Sequence, residues 1–428
     1  MKCGFAKAEL SLKLPCRMAG YAVYREAEVQ HDPLLAEVLI LETEQGRFGY
    51  ITLDLIAVHQ RFYEEILKVC KPLGFDERTL MICATHTHAG CMGVVDCGDA
   101  VLKGMDAIFG AWDERLAKRL ADIVYHAVKD AVKHSRAAML RTYTKRLEGV
   151  GANRNDPACR NDSTVFVMEF QQKEGNRILF LQMACHPTVL NAANLQISAD
   201  LAGAIRNALS QPGEEVLFFN GACGDISTRF TRKNTGFAEL TRYEELIKQQ
   251  LQFSEQQERW SGSPAISSKL FCVELKKKAA LSIADAELLL KQEEDALEEA
   301  KKKKLSVQQL RFQESRVEGA RANLIYAQQH VGDTGTIRMT VVIQQLAHET
   351  LIFLPLEMYS RLSSQIPDSH IHFICYANGY HLYITDEEAF SNGYYEACIS
   401  PFERGEGEHL IRLLKDILTH DKAEEQQL

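Results

Sequence analysis

Short apolar runs closed by polar or glycine-bearing turns recur along this chain, and they read as strands. They predict strands over Leu10–Leu14, Leu35–Glu42, Gly49–Leu55, Leu80–Ala84, Val165–Phe170, Ile178–Ala184 and Val216–Phe219. Between them lie patterns of helical period, Gln60–Lys71, Asp113–Lys133 and Ala199–Ser210 among them. After Gly332–Gly335 the strand pattern returns over Ile337–Leu346, Thr350–Leu354 and Phe373–Tyr376, with a helix expected after Pro355-Leu356-Glu357. The alternation predicts an α/β (mixed α+β) fold, a layered mixed-sheet core with flanking helices.

Residues from about Ile283 to His330 differ. They are rich in Ala, Glu, Lys, Leu and Gln at helical spacing, and Lys301–Lys304 separates two stretches, with Ser306 placed to cap the second. This predicts a helical hairpin inserted in one domain over 1–428. It reads first as a solvated, salt-bridged pair of helices. A wall over a site, or a contact through which the chain forms a homo-oligomer, is the alternative. The polar tail Ala423–Leu428 is expected to fray.

Composition narrows the class. With 46% hydrophobic and 25% charged residues and a formal net charge of −9, the 428-residue chain is an ordinary globular protein without the basic surplus that nucleic acid requires. No apolar run is long enough for a membrane span. The first residues, Met1-Lys2-Cys3-Gly4-Phe5, lack the apolar stretch of a secretory signal, so a cytoplasmic location is expected. The 12 cysteines are scattered without a CxxC pair and read as small buried hydrophobes, with Cys91 and Cys97 as outside candidates for a thiolate ligand.

Chemistry gathers at strand ends. Leu80–Ala84 runs into Thr85-His86-Thr87-His88, and in extended backbone residues i and i+2 point to one side. Ile178–Ala184 leads to His186, Val216–Phe219 to Gly224-Asp225-Ile226-Ser227, Leu351–Leu354 to Glu357, and Phe373–Tyr376 to Tyr380 and Tyr383. Sites form at the carboxyl ends of strands in open α/β sheets, so these ends are expected to supply one cleft. His86, His186 and Glu357 make a familiar set for catalytic zinc, with a position left for water or substrate. Each also has a structural alternative: His186 before Pro187 ends a strand, Glu357 caps a helix, and Ser227 caps a helix or closes a turn. Asp54, Asp200 and Asp225 keep open a two-metal phosphoesterase.

Taken together these residues resemble the neutral ceramidase family, in its N-terminal catalytic domain. The resemblance rests on Gly20-Tyr21, Asp32-Pro33-Leu34, Leu53-Asp54-Leu55, Ala84–Gly90, Asn153-Arg154, Gly224–Ser227, Pro355-Leu356-Glu357, Asn378–Thr385 and Tyr395-Glu396, in family order. By position it implies a zinc ion on His86, His186, Glu357 and Tyr383. His88 would stand beside the metal as proton shuttle, with Arg154 and Tyr395 binding the oxyanion or the substrate. Ser227 would act either as nucleophile or, preferably, in orientation. The implied activity is hydrolysis of an N-acyl amide by zinc-activated water. A zinc esterase or phosphoesterase, or a non-catalytic lipid- or metabolite-binding homologue, stands as the alternative.

The departures bear on substrate. Cys91-Met92-Gly93 replaces the family's glycine- and proline-rich turn, and Thr228-Arg229 follows Ser227. No C-terminal β-sandwich is expected after Pro401. Arg229 and Arg232 suggest a polar rim that reads an anion. A small-molecule N-acyl substrate of modest size is therefore expected in preference to long-chain ceramide.

Overall fold

The computed structural model describes residues 1–159, 162–173, 175–253 and 259–425. Strands of four or more residues are numbered β1 Lys2–Glu9, β2 Leu35–Thr43, β3 Gly46–Leu53, β4 Leu80–Ala84, β5 Arg136–Arg146, β6 Thr164–Gln172, β7 Arg177–Met183, β8 Glu214–Asn220, β9 Ile266–Lys276, β10 Thr336–Leu346, β11 Glu349–Phe353 and β12 Ile371–Ile374. The first eight form one mixed sheet in the order β8-β7-β6-β5-β1-β2-β3-β4. The pairs β3–β4 and β7–β8 are parallel and the others antiparallel. The last four form a second sheet in chain order.

The apolar runs are continuous because the large sheet is covered on both faces. In β4, Met81 and Cys83 enter one core while Leu80, Ile82 and Ala84 enter the other. The β4 parity repeats in β2, where Leu39 and Leu41 oppose Ala36, Val38 and Ile40. The first core lies between the sheets and joins Tyr50, Phe180 and Phe219 to Leu351 and Phe353. Each such ring contributes roughly 1.5–3 kcal/mol on burial. The hydroxyl of Tyr50 is satisfied by Gln344 Oε1 at 2.8 Å. Helices cover the opposite face, with Gln60–Cys70 and Glu114–Lys133 packed together and Asp200–Leu209 against β8. Asp113 caps the second of these through Arg115 and Leu116.

One short segment positions the site. Cys375 N donates to Asn220 O at the end of β8, while Asn378 N donates to Ile82 O and Ala84 N to Tyr376 O on β4. Chain leaving β12 thus bridges the two edge strands of the large sheet. Tyr376 and Asn378 adopt φ of 58° and 57° to make this turn, and Asn378 Oδ1 accepts from Ile82 N at 2.8 Å.

Several expectations need correction. The first strand is Lys2–Glu9, not Leu10–Leu14: its partner β2 begins at Leu35, opposite Glu9, so Leu10 onward has no ladder to join. Glu357 caps no helix. Glu357–Met358 pairs in parallel with Tyr383–Ile384, and the helix beyond is the single turn Ser360–Ser363. The hairpin helices run Ile283–Lys302 and Val307–His330, and Ser306 with Gln309 forms a reciprocal capping box on the second. Strands β5 and β9, and the helices Phe237–Gln250 and Glu406–Glu425, carry too many charged residues for their apolar pattern to stand out. The tail expected to fray is helical to Glu425, and residues 426–428 lie outside the described ones. Among the described residues no helix is long and apolar enough to cross a membrane.

Candidate metal centre and active site

His86 leaves β4 with φ of 70°. Its backbone N–H reaches Leu55 O, and Thr85 before it is tied to Leu53 O and to Asp54 Oδ1. A non-glycine residue in the left-handed region is strained, and these bonds hold it there. The turn aims the ring inward.

Three imidazoles converge. His86 Nδ1 lies 2.6 Å from Ile56 O, His186 Nδ1 2.6 Å from Cys223 O, and His88 Nδ1 2.9 Å from Gly20 O. A carbonyl only accepts, so each Nδ1 carries the proton and each Nε2 presents a lone pair to the centre. His86 Nε2 and His88 Nε2 are 3.2 Å apart. Glu357 Oε2 lies 3.3 Å from His86 Nε2 and 3.0 Å from His186 Nε2, and Tyr383 Oη is 3.2 Å from His186 Nε2. Donors about 2.0–2.2 Å from a tetrahedral ion stand roughly 3.4 Å from one another. The donor set therefore fits a metal such as zinc in both chemistry and spacing.

Electrostatics agree with that fit. Burial and the charges that His86 and His186 would carry hold His88 well below the ordinary imidazole range. Burial, then Arg154, brings His186 down to about 4. Burial alone would raise Glu357, but positive charge at this centre, as His86 and His186 would supply when protonated, outweighs it and keeps the carboxyl well below its usual value. Lone pairs and a carboxylate are what a cation requires. Glu357 also accepts from Tyr376 at 3.3 Å and from Tyr380, whose hydroxyl burial keeps protonated. The Tyr376 ring stacks on His86 with centroids 4.3 Å apart.

Gly20 explains why Gly-Tyr belongs to the constellation. At φ of 98° it lies so close to His88 that a Cβ would stand 2.5 Å from Nδ1. Tyr21 flanks the same ring at 5.1 Å between centroids.

Outside the donors lies a cavity of about 830 Å³. His88, Arg154, Ser227, Tyr383 and Tyr395 all line it. Arg154 Nε pairs with Glu396 Oε1 at 2.6 Å, and its Nη2 donates to Gly224 O at 2.6 Å and to Tyr383 Oη at 3.1 Å. Glu396 Oε2 also takes bonds from Tyr359 at 2.7 Å and Asn155 at 2.9 Å. Ser227 Oγ accepts from Arg229 N at 3.3 Å, so it closes a turn as well as facing the cavity.

The hairpin is a largely exposed pair of helices laced by ion pairs, and one face of its second helix is also a wall of the cavity. Gln308, Arg311, Ser315 and Glu318 of its second helix line the same cavity, at the i, i+3, i+7, i+10 spacing of one helical face. The other outlying candidates go elsewhere. Asp54 pairs with Arg206, Asp200 accepts from the N–H groups of Val189, Leu190 and Leu201, and Asp225 is held by Ser360 and Asn153. Burial lifts the Cys91 thiol to about 12, and Cys91 lines a different pocket. Sequence reasoning missed Glu396 as the partner of Arg154, and Tyr359, Asn155 and Tyr376 as supports. Glu396 stood in the Tyr395-Glu396 motif without a role, and the other three offered only their nearness to motif residues.

A histidine–carboxylate cluster beside a cavity on a mixed two-sheet core is what the site shows, and similarity to known proteins places it in a family. The family model described as neutral/alkaline non-lysosomal ceramidase, N-terminal, matches residues 13–236, more than half of the chain. The chain belongs to that family. No curated protein matches it. Among solved structures it is similar to neutral ceramidase from Pseudomonas aeruginosa, at 17% identity and a TM-score of 0.72 over 96% of this chain and 73% of that one. It is also similar to a ceramidase complexed with C2, at 15% identity and a TM-score of 0.70 over 96% and 74%. At these identities the likeness establishes the fold.

Proposed function

We propose that this protein is a zinc-dependent hydrolase of an N-acyl amide bond. One observation carries the reading: the Nε2 atoms of His86 and His186 meet Glu357 Oε2 and Tyr383 Oη, with His88 Nε2 beside them, next to a cavity that also holds Arg154, Ser227 and Tyr395. Membership of the ceramidase family supports amide hydrolysis.

His86, His186, Glu357 and Tyr383 would hold the ion. A zinc ion bound there supplies Lewis acidity, polarising a carbonyl and lowering the pKa of a bound water to about 7. His88 is the histidine of the three that lines the cavity, and its Nε2 is placed to move a proton. The water oxygen bonds to the carbonyl carbon, the C–N bond breaks, and the released proton reaches the leaving nitrogen, giving a carboxylic acid and an amine. Arg154 and Tyr395 donate hydrogen bonds to the oxygen that gains charge; losing one such donor costs roughly 100- to 1,000-fold in rate. Glu396 keeps Arg154 charged and aimed. Ser227 orients substrate in this reading, because its Oγ already accepts a backbone bond and no base stands against it among the described residues.

A panel of matched amide, ester and phosphoester chromogens tests the proposal. Amide turnover that disappears on chelation supports it. Turnover confined to esters or phosphoesters selects the alternative chemistry on the same centre.

A further inference from the structure

The cavity is built for a polar, charged ligand. Ala192 and Phe230 are the only purely hydrocarbon side chains in its lining among the described residues. Tyr21, Tyr383 and Tyr395 add aromatic faces that carry polar tips. Four arginines, Arg154, Arg229, Arg232 and Arg311, face it against two carboxylates, Glu318 and Glu396. The chain as a whole carries a net charge of −9, so this positive surplus is local.

The arginines are not equivalent. Arg154 is neutralised by Glu396, and Arg311 pairs with Glu314 at 2.6 Å. Arg229 and Arg232 have no carboxylate within ion-pair distance among the described residues. Arg232 is held by main chain, donating to Thr188 O and, at 3.3 Å, to Val189 O. Arg229 has a single long contact, Nη1 to Arg154 O at 3.5 Å. Burial, with the like charges of Arg154 and Arg311 and despite Glu396 and Glu318, lowers Arg229 to about 10. Arg232, held by main chain, and the more loosely held Arg229 thus offer guanidinium groups to the same cavity without ion-pair partners, which suits an anionic ligand.

We infer that the substrate is a small N-acyl compound bearing a carboxylate, of the N-acyl amino acid class, and that Arg229 and Arg232 bind that carboxylate. This rests on the amide-hydrolase reading of the same site. The polar face of the hairpin helix, Gln308 to Glu318, completes the chamber and accounts for a helix with so little apolar periodicity.

The test compares kcat/KM for an N-acyl glycine, its neutral glycinamide, an N-acyl aminoalkyl phosphate and long-chain ceramide in mixed micelles. Wild type and the variants Arg229→Gln, Arg232→Gln and the double variant are used, each checked for folding by circular dichroism. The expected result is at least tenfold preference for the glycine compound over its glycinamide, falling to about one in the double variant and part-way in each single one. Equal rates on acid and amide, preference for the phosphate, or a tenfold advantage for ceramide would each overturn the inference. Thermal shift by the same compounds separates this inference from the hydrolase reading. If nothing is hydrolysed, a Tm rise given by the glycine compound, absent with the glycinamide and lost in the double variant, upholds carboxylate binding while the hydrolase reading falls. No hydrolysis and no shift overturns both.

Discussion

Arg154 and Glu396 form an ion pair of 2.6 Å, almost wholly buried, and it joins the candidate metal centre to the cavity. The same guanidinium reaches Tyr383 Oη, and the same carboxylate is held by Tyr359 and Asn155. A buried charge stripped of its partner costs about 3–5 kcal/mol. Glu396→Gln should therefore lower stability by that order and reduce kcat at least tenfold while metal content stays at the wild-type level. A merely structural role would lower Tm and leave kcat of the folded fraction intact. In a double-mutant cycle, Arg154→Met/Glu396→Gln should be more stable than Glu396→Gln alone.

Gly319 lets the hairpin approach the Tyr395 wall of the cavity. A Cβ at this position would stand 3.1 Å from Cys398 Sγ and 3.4 Å from Tyr395 Cα. Gly319→Leu should push the helix away, moving Tyr395 on one side and the Gln308–Glu318 face on the other. We expect kcat/KM to fall at least tenfold with metal retained. Unchanged kinetics would show that the hairpin is no wall of the working site.

A second buried cluster contributes to how stability varies with pH, beside Asp200 and Asp225, which burial also raises, to about 7 and about 6. Arg206 serves two carboxylates, Asp54 at 2.5 Å and Glu37 at 3.1 Å. Burial, with the charge of Asp54 and despite Arg206, raises Glu37 to about 7 from an ordinary value of 4.5. The native state thus holds a proton that the unfolded chain has released between these values. Unfolding free energy should fall as pH rises from 4.5 to 7, by up to about 3 kcal/mol from this group. Glu37→Gln, which keeps the shape without the titration, should flatten the fall in chemical denaturation curves across that window. A wild-type pH dependence in the variant would place the effect elsewhere.

Much of this architecture is legible in the sequence because the covered sheet demands continuous apolar strands and the chemistry sits just past their ends. β4 before His86 and β7 before His186 show this directly. The rule used, convergence at the carboxyl ends of an open α/β sheet, holds here for a different reason. The large sheet is mixed, and the bridge 375–378 between β8 and β4 brings its two edges together. Such long-range ties leave no periodic trace. Glu396 was invisible as a partner because it meets Arg154 across some 240 residues of chain, and a carboxylate on a short helix looks like any surface acid. The hairpin itself was legible, but which of its faces meets the cavity was not, for a related reason. A helix facing a polar chamber has the same sequence as one facing water.

Metal dependence is the centre of the account. Zinc should be measured by elemental analysis in wild type, His86→Ala, Glu357→Ala and His88→Ala, with amide hydrolysis followed before chelation, after it, and after zinc is returned. The account predicts about one zinc per wild-type chain, loss of metal from His86→Ala and Glu357→Ala, and retention with lowered kcat in His88→Ala. It also predicts activity that vanishes on chelation and returns with zinc. Full turnover by the metal-free protein, or full zinc occupancy in His86→Ala and Glu357→Ala, would contradict it.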